Sequence, residues 1–298
     1  MDPVTHALSG AVLHQLGFKR RLALLVLVVS AVIPDIDYVT RALGLEAFLK
    51  YHRGITHGVF ALALYPVLVG LLFRNRGGFF YFYALAFLGY GVHLLLDLSN
   101  QYGTMILSPL DWNRYSTDLI FIIDPYITLG FVLAVLLGRY NKKRAVFIAA
   151  CTVILLCWYA GGRYYMQGQA KQFLKTKIDA HVYRVYPLPN GLLRWWFTVR
   201  NGDEITTGSV DLFMKKVFVY EKFRMHENDP AIAASKNDPN IKTFLEFAHS
   251  PYAEVKRDEQ GATVKWKDLS YSFLPGEKFT ATVVSDRNGK IVKSYFRF

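Results

Sequence analysis

A chain of 298 residues that is 52% hydrophobic and only 19% charged is too apolar for an ordinary soluble protein. Its two cysteines, Cys151 and Cys157, lie inside an apolar run and read as small buried hydrophobes, which excludes a disulfide framework or a Cys-rich zinc module. The formal net charge is +12, yet no helix-turn-helix, zinc-finger or RNA-binding signature occurs, so the basicity points to membrane topology and lipid headgroups and away from nucleic acid.

Residues 1–162 read as an α-helical polytopic membrane domain. Asp2-Pro3 is an N-cap with proline in the first turn of a helix over 4–17. The stretch has no basic n-region, so it does not read as a cleavable signal peptide. Apolar runs follow at 22–34, 58–73, 79–98, 119–138 and 145–161. Several fall short of the roughly 20 residues that span a bilayer, so four to six spanning helices are expected. Three linkers, containing Lys19-Arg20-Arg21, Arg74 with Arg76, and Arg139 with Lys142-Lys143-Arg144, hold nine basic residues and no acid. The positive-inside rule assigns them to the cytoplasm. The N-terminus, linkers 35–57 and 99–118, and everything beyond residue 162 then face outward, to the periplasmic or extracellular side. Residues 163–178 read as a connector. Residues 179–298 read as a small β-rich extramembrane domain, with strand-like runs at 195–199, 216–220, 262–266 and 279–284 and turn signals at Asn201-Gly202, Pro275-Gly276 and Asn288-Gly289. A mixed segment over 226–249 has helical character. Trp195 and Trp196 fit strand-core or interfacial aromatics better than a ligand platform.

All eight acids of the membrane half lie on the outward side of this topology, as do His6, His52, His57 and His93; His14 alone stays near the inner end. A charge deep in a bilayer costs about 2.5–3.5 kcal/mol on insertion scales, so several at one depth call for a common partner, and a metal ion is the most economical. Pro34-Asp35-Ile36-Asp37 closes the second run, where proline is expected to end the helix and leave both carboxylates in a turn; alone it equally fits an ordinary Asp turn. In His52-Arg53-Gly54-Ile55-Thr56-His57, Thr56 is a candidate cap that would place His57 in the first helical turn, and Arg53 offers a guanidinium for an anion. His93 and Asp97, at i and i+4, share one helix face, as helical metal sites require; a neutral histidine bonded to the aspartate is the alternative. Asp118 and Asp124 bracket the apolar stretch Leu119–Ile123, and Asp111 is a weaker candidate.

Asp2-x-x-Thr5-His6, Pro34-Asp35-x-Asp37, His52-Arg53-Gly54-x-Thr56-His57, His93-x-x-x-Asp97 and Asp124-Pro125 together resemble the YdjM-like family of bacterial inner-membrane metal-dependent hydrolases over roughly residues 1–165. The resemblance implies a multi-pass inner-membrane protein with hydrolase activity, and brings little information about substrate. A looser similarity is to zinc-dependent phospholipase C and the S1/P1 nucleases, through His93-x-x-x-Asp97 and an early histidine followed by an aspartate. A second H-x-x-x-D/E element and the N-terminal tryptophan ligand of those enzymes are missing, so one or two ions are expected in place of three.

The expected function is therefore a membrane-bound hydrolase acting on a phosphoester, lipid-borne at the outer face, through a metal-activated water. Zn²⁺ suits mixed His/Asp ligation best, with Mn²⁺ or Fe²⁺ as alternatives. His6, Asp35, His57, His93 and Asp97 are the expected ligands, with Asp37 and His52 as further ligands or supports of them. Asp37 or Asp118 is the expected proton acceptor and Arg53 the expected oxyanion partner. The rival is a non-enzymatic transporter or envelope assembly factor with a structural metal or polar cluster. A transporter distributes polar residues through the membrane depth, whereas here they gather at one end.

Overall fold

Each of the six apolar runs contains a helix in the computed structural model, which describes residues 1–276 and 278–297. Helix α1 (Pro3–Gln15) starts at Asp2, whose carboxylate accepts from the Thr5 amide and hydroxyl. Helix α2 (Ala23–Val32) does not stop at Pro34. It tightens into a 3₁₀ segment (Ile33–Leu43), and the two together form an apolar stretch of 21 residues. Proline is tolerated there because a first-turn position needs no amide donor. A short α3 (Leu45–Tyr51) and a 3₁₀ turn (Ile55–His57) then lead through a 60° bend into α4 (Val59–Leu72). The turn-length α5 (Arg74–Gly77) precedes α6 (Phe79–Ser99). Helix α7 (Pro125–Tyr140) begins at Asp124 and not at residue 119, because the Asp124 side chain caps it by accepting from the Tyr126 and Ile127 amides.

Helix α8 (Ala145–Lys175) runs straight through most of the stretch read as a connector. Its glycines are not followed by proline, and its last turns find burial: Ala170 and Leu174 pack with Val185, Trp195 and Phe197. Among the described residues, three helical stretches are long and apolar enough to cross a membrane, and a fourth if the bent pair Leu45–His57 with Val59–Leu72 counts as one. At 13 and 16 residues, α1 and α7 are shorter than a span.

The chain forms two compact units: Met1–Ala42 with Tyr51–Tyr165, and Leu43–Lys50 with Met166–Phe298. In the second, β1 (Val182–Pro187), β2 (Arg194–Asn201), β3 (Glu204–Asp211) and β4 (Lys216–Arg224) form one antiparallel meander. A second meander comprises β5 (Pro251–Asp258), β6 (Gly261–Asp268), β7 (Thr280–Asp286) and β8 (Ile291–Arg297). Helices α9 (Pro230–Ser235) and α10 (Pro239–Phe247) fall between them, each with aspartate as cap and proline in the first turn. Trp195 and Trp196 are both buried, and the Trp196 indole donates to the Leu269 carbonyl.

In the first unit α2 lies at the centre, with α1 and α6 packed on it. Both approach through glycine at the same backbone point. A Cβ at Gly10 would stand 2.8 Å from the Leu27 carbonyl oxygen, and one at Gly89 would stand 2.7 Å from it. Without a hydrophobic driving force between helices in lipid, such close approach supplies the packing attraction. Gly91, two residues on, is unconstrained, its nearest neighbour being Leu62 Cδ1 at 4.0 Å. Gly89→Ala is therefore expected to destabilise the detergent-solubilised protein by about 1–3 kcal/mol through overpacking, read as a lowered Tm. Gly91→Ala should leave Tm unchanged or raise it, by helix propensity. Equal Tm values for the two variants would refute this account of the packing.

Candidate metal centre

Each of the elements around α2 brings polar side chains to the same end of the bundle. The 3₁₀ continuation of α2 carries Asp35 and Asp37, the bend before α4 carries His57, and the last turns of α6 carry His93 and Asp97. One donor atom from each of Asp35, His57, His93 and Asp97 lies within 4.8 Å of all the others. Asp97 Oδ2 is 3.3 Å from His57 Nε2 and 3.5 Å from His93 Nε2, and Asp35 Oδ1 is 3.5 and 3.8 Å from the same two nitrogens. His57, His93 and Asp97 are fully buried, while the Asp35 side chain retains 10% exposure.

Hydrogen bonds on the far side of each ring set which nitrogen faces the centre. His93 Nδ1 lies 2.7 Å from the Ala31 carbonyl oxygen, which only accepts, so the proton sits there and Nε2 presents a lone pair. The Thr56 hydroxyl donates to Asp37 Oδ2 at 2.7 Å, and His57 Nδ1 faces that same carboxylate oxygen at 3.2 Å. His57 Nδ1 is thus also the protonated nitrogen, and its Nε2 turns inward, 3.1 Å from His93 Nε2. Two carboxylate oxygens and the His93 lone pair aimed at one point call for positive charge among them, which a proton on His57 Nε2 or a metal ion in its place supplies. The donor set fits a divalent ion, with carboxylate and carbonyl partners orienting the histidines as metal sites require.

The two oxygens of Asp97 are used differently. Oδ1 takes Arg53 Nη2 at 3.0 Å, His6 Nε2 at 3.2 Å, the Asn100 amide at 3.5 Å and the amino group of Met1. Among the described residues Oδ2 has no hydrogen-bond partner although it is buried, which leaves it for the centre.

His6 stands beside the four-residue set without belonging to it: its ring stacks on His93, with centroids 3.7 Å apart and planes 22° from parallel. His52 Nδ1 bonds Asp37 Oδ1 at 2.7 Å. Asp35, Asp37 and His52 make a second group of converging donor atoms, so Asp35 is shared between the two. Asp37 is already engaged, accepting from His52, the Arg53 amide and Thr56. Thr56 consequently serves Asp37, and the residue preceding α4 is Gly58, which has no side chain to cap with.

Arg53 does not stand free for an anion. With φ of 57°, it turns its guanidinium inward to Asp97, the Asn100 side chain and the Tyr102 carbonyl, the last at 2.7 Å. Asp118 lies in neither donor group; it accepts from Ser116 Oγ at 2.7 Å. Asp124, besides capping α7, accepts from the Tyr159 hydroxyl at 2.8 Å. The partners that sequence reading missed are the Ala31 carbonyl, Asn100 and Tyr102. A backbone acceptor leaves no trace in side-chain identity, and the sole signal for Asn100 is its place at the end of the His93-to-Asp97 face. The loop that carries these residues is tied back by the Met105 amide to Arg53 and the Val59 amide to Ile106.

Residues 1–169 match the family model described as YdjM inner membrane protein. Residues 230–298 match the model of the YfhP C-terminal alpha/beta plait domain. The uncharacterized protein YfhP of Bacillus subtilis (strain 168) is 25% identical over 267 residues, covering 88% of this chain and 81% of that protein. No solved structure matches. The first model spans more than half of the chain and contains every residue of the candidate centre, and the chain belongs to the YdjM inner membrane protein family.

Proposed function

We propose that this protein is a membrane-embedded metal-dependent hydrolase acting on a phosphoester borne by a membrane lipid. The observation that carries the reading is the convergence of one ligand atom each from Asp35, His57, His93 and Asp97, all within 4.8 Å of one another and three of the four residues fully buried, at one end of helices long enough to span a bilayer. Two imidazoles and two carboxylates suit Zn²⁺ best, with Mn²⁺ or Fe²⁺ compatible. When bound, such an ion supplies Lewis acidity and makes an attacking water more acidic.

The chain's own residues do the rest. Asp37 holds the His57 ring, Ala31 holds the His93 ring, and Arg53 offsets one of the two carboxylate charges. The basic linkers before α2, around α5 and before α8 lie at the opposite helix ends. The positive-inside rule therefore argues for a centre at the outer face, where headgroup phosphates lie.

Elemental analysis of detergent-purified protein tests the centre. Near-stoichiometric zinc is expected in the wild type and loss of it in His93→Ala and Asp97→Ala; a wild type free of metal after zinc supplementation would overturn the reading. Asp37→Asn, which alters the partner of His57 and leaves the four-residue set intact, is expected to lower metal affinity about 10–100-fold. Hydrolysis is read separately, on a soluble aryl phosphodiester and on phospholipid vesicles. Cleavage of neither by zinc-loaded protein would leave the non-enzymatic rival, and cleavage of the soluble ester alone would remove the lipid from the proposal.

A further inference from the structure

Behind the candidate centre lies an apolar groove of about 290 Å³ between α1, α6, α7 and α8. The same short segments wall both. Helix α6 turns His93 and Asp97 to the centre and Val92, Leu95 and Leu96 to the groove. In α1, Ser9 lines the groove while its hydroxyl donates to the carbonyl of His6, beside Asp97. Asn100, against Asp97, pairs in a parallel bridge with Ile120, which lines the groove.

Its lining residues carry no ionisable charge, the only polar groups being Ser9, Ser99, Cys157 and the Tyr159 hydroxyl. A second apolar groove of about 340 Å³ follows α7 and α8. It shares Ile127, Phe131, Leu156 and Tyr159 with the first, so a single wall of side chains separates the two. Helices α6 and α8 are of spanning length, and the apolar window of α8 is only 6% buried. The medium these grooves meet is hydrocarbon.

We propose that the paired grooves hold the two acyl chains of a membrane phospholipid, one chain in each. Two adjoining apolar grooves with a common wall match a diacyl lipid, whereas a polyisoprenyl phosphate has one chain and needs one groove. An uncharged aliphatic lining selects a chain and rejects a headgroup, as in apolar ligand sites generally. Because the wall of the first groove is also the wall of the centre, this inference rests on the hydrolase reading for its chemistry: it makes the substrate class a diacyl phospholipid. It stands without that reading as a lipid-binding site.

The test uses the full chain, zinc-loaded, in phosphatidylglycerol nanodiscs with a trace of phosphatidylglycerol bearing a photoactivatable diazirine on one acyl chain. Adducts mapped by mass spectrometry are expected on Val153 and Leu156, which face the grooves, over Ile154 and Trp158, which face outward with 55% and 76% exposure. Val153→Trp, filling the first groove, should reduce adducts on Leu96, a buried residue of its lining, and on Leu156 severalfold with bound zinc unchanged, the zinc reporting an intact fold. Adducts spread evenly over inward and outward positions would overturn the proposal. So would groove labelling by a diazirine polyisoprenyl phosphate that the diacyl probe does not match. Failure of the hydrolase reading is seen elsewhere, as absent zinc or absent hydrolysis in the wild type, whatever the adducts show.

Discussion

A fully buried carboxylate, Asp97, organises the membrane half of this protein. An unpaired charge at such a position is expensive, and breaking a buried pair by removing one partner typically costs about 3–5 kcal/mol. Arg53 answers that charge, but a guanidinium is itself costly to bury, and its remaining donors must also be met. Asn100 and the Tyr102 carbonyl accept from its Nη1, so the segment leaving α6 folds back over the centre instead of running out into the surrounding medium. Arg53 in turn adopts a positive φ that is rare for a residue with a side chain, which aims it at Asp97. The bend into α4, the path of the loop after residue 99 and the placement of His57 are successive consequences of satisfying one carboxylate.

The segregation of polar groups follows from the same economy. Grouping acids and histidines at one end of the bundle lets them share one set of compensating partners, and lets the rest of each helix stay apolar. The other end carries lysine and arginine in three successive linkers, which remain hydrated. Helices of spanning length and helices too short to span are thereby mixed in one unit: α1 and α7 need only bring His6 and Asp124 to the polar end, and nothing in their role requires a full crossing.

Much of this was readable from residue order alone. The i, i+4 spacing of His93 and Asp97 fixes a shared face once the run is helical, and the alternation of basic linkers sorts the helix ends. Other features depended on contacts between distant segments. Whether Pro34 ended a helix or began a tighter one turned on the packing around Asp37, and Thr56 had a distant carboxylate to serve in preference to a local cap. In the β-rich unit the strands with alternating or aromatic character, β2, β4, β6 and β7, announced themselves. β3 did not: Glu204-Ile205-Thr206-Thr207-Gly208-Ser209-Val210-Asp211 is polar in composition but buried along nearly its whole length, its threonines and serine being enclosed between β2 and β4. The extension of α8 past residue 162 was hidden for a similar reason, since its final turns are stabilised by burial of Ala170 and Leu174 and not by their own apolar period.

The bond from His93 to the Ala31 carbonyl has an implication for how this centre tolerates change. The acceptor is main chain, so replacing the Ala31 side chain leaves it in place, and no single codon encodes it. What encodes it is the register of α2 against α6, set in part where Gly89 lets the two backbones meet at Leu27, one turn before Ala31. A slide of one helix along the other would exchange that carbonyl for a neighbour's and turn the imidazole with it. The orientation of one candidate ligand is in this sense a property of helix alignment, indifferent to the chemistry of the Ala31 side chain and sensitive to any bulk at the buried contact that shifts α2 along α6.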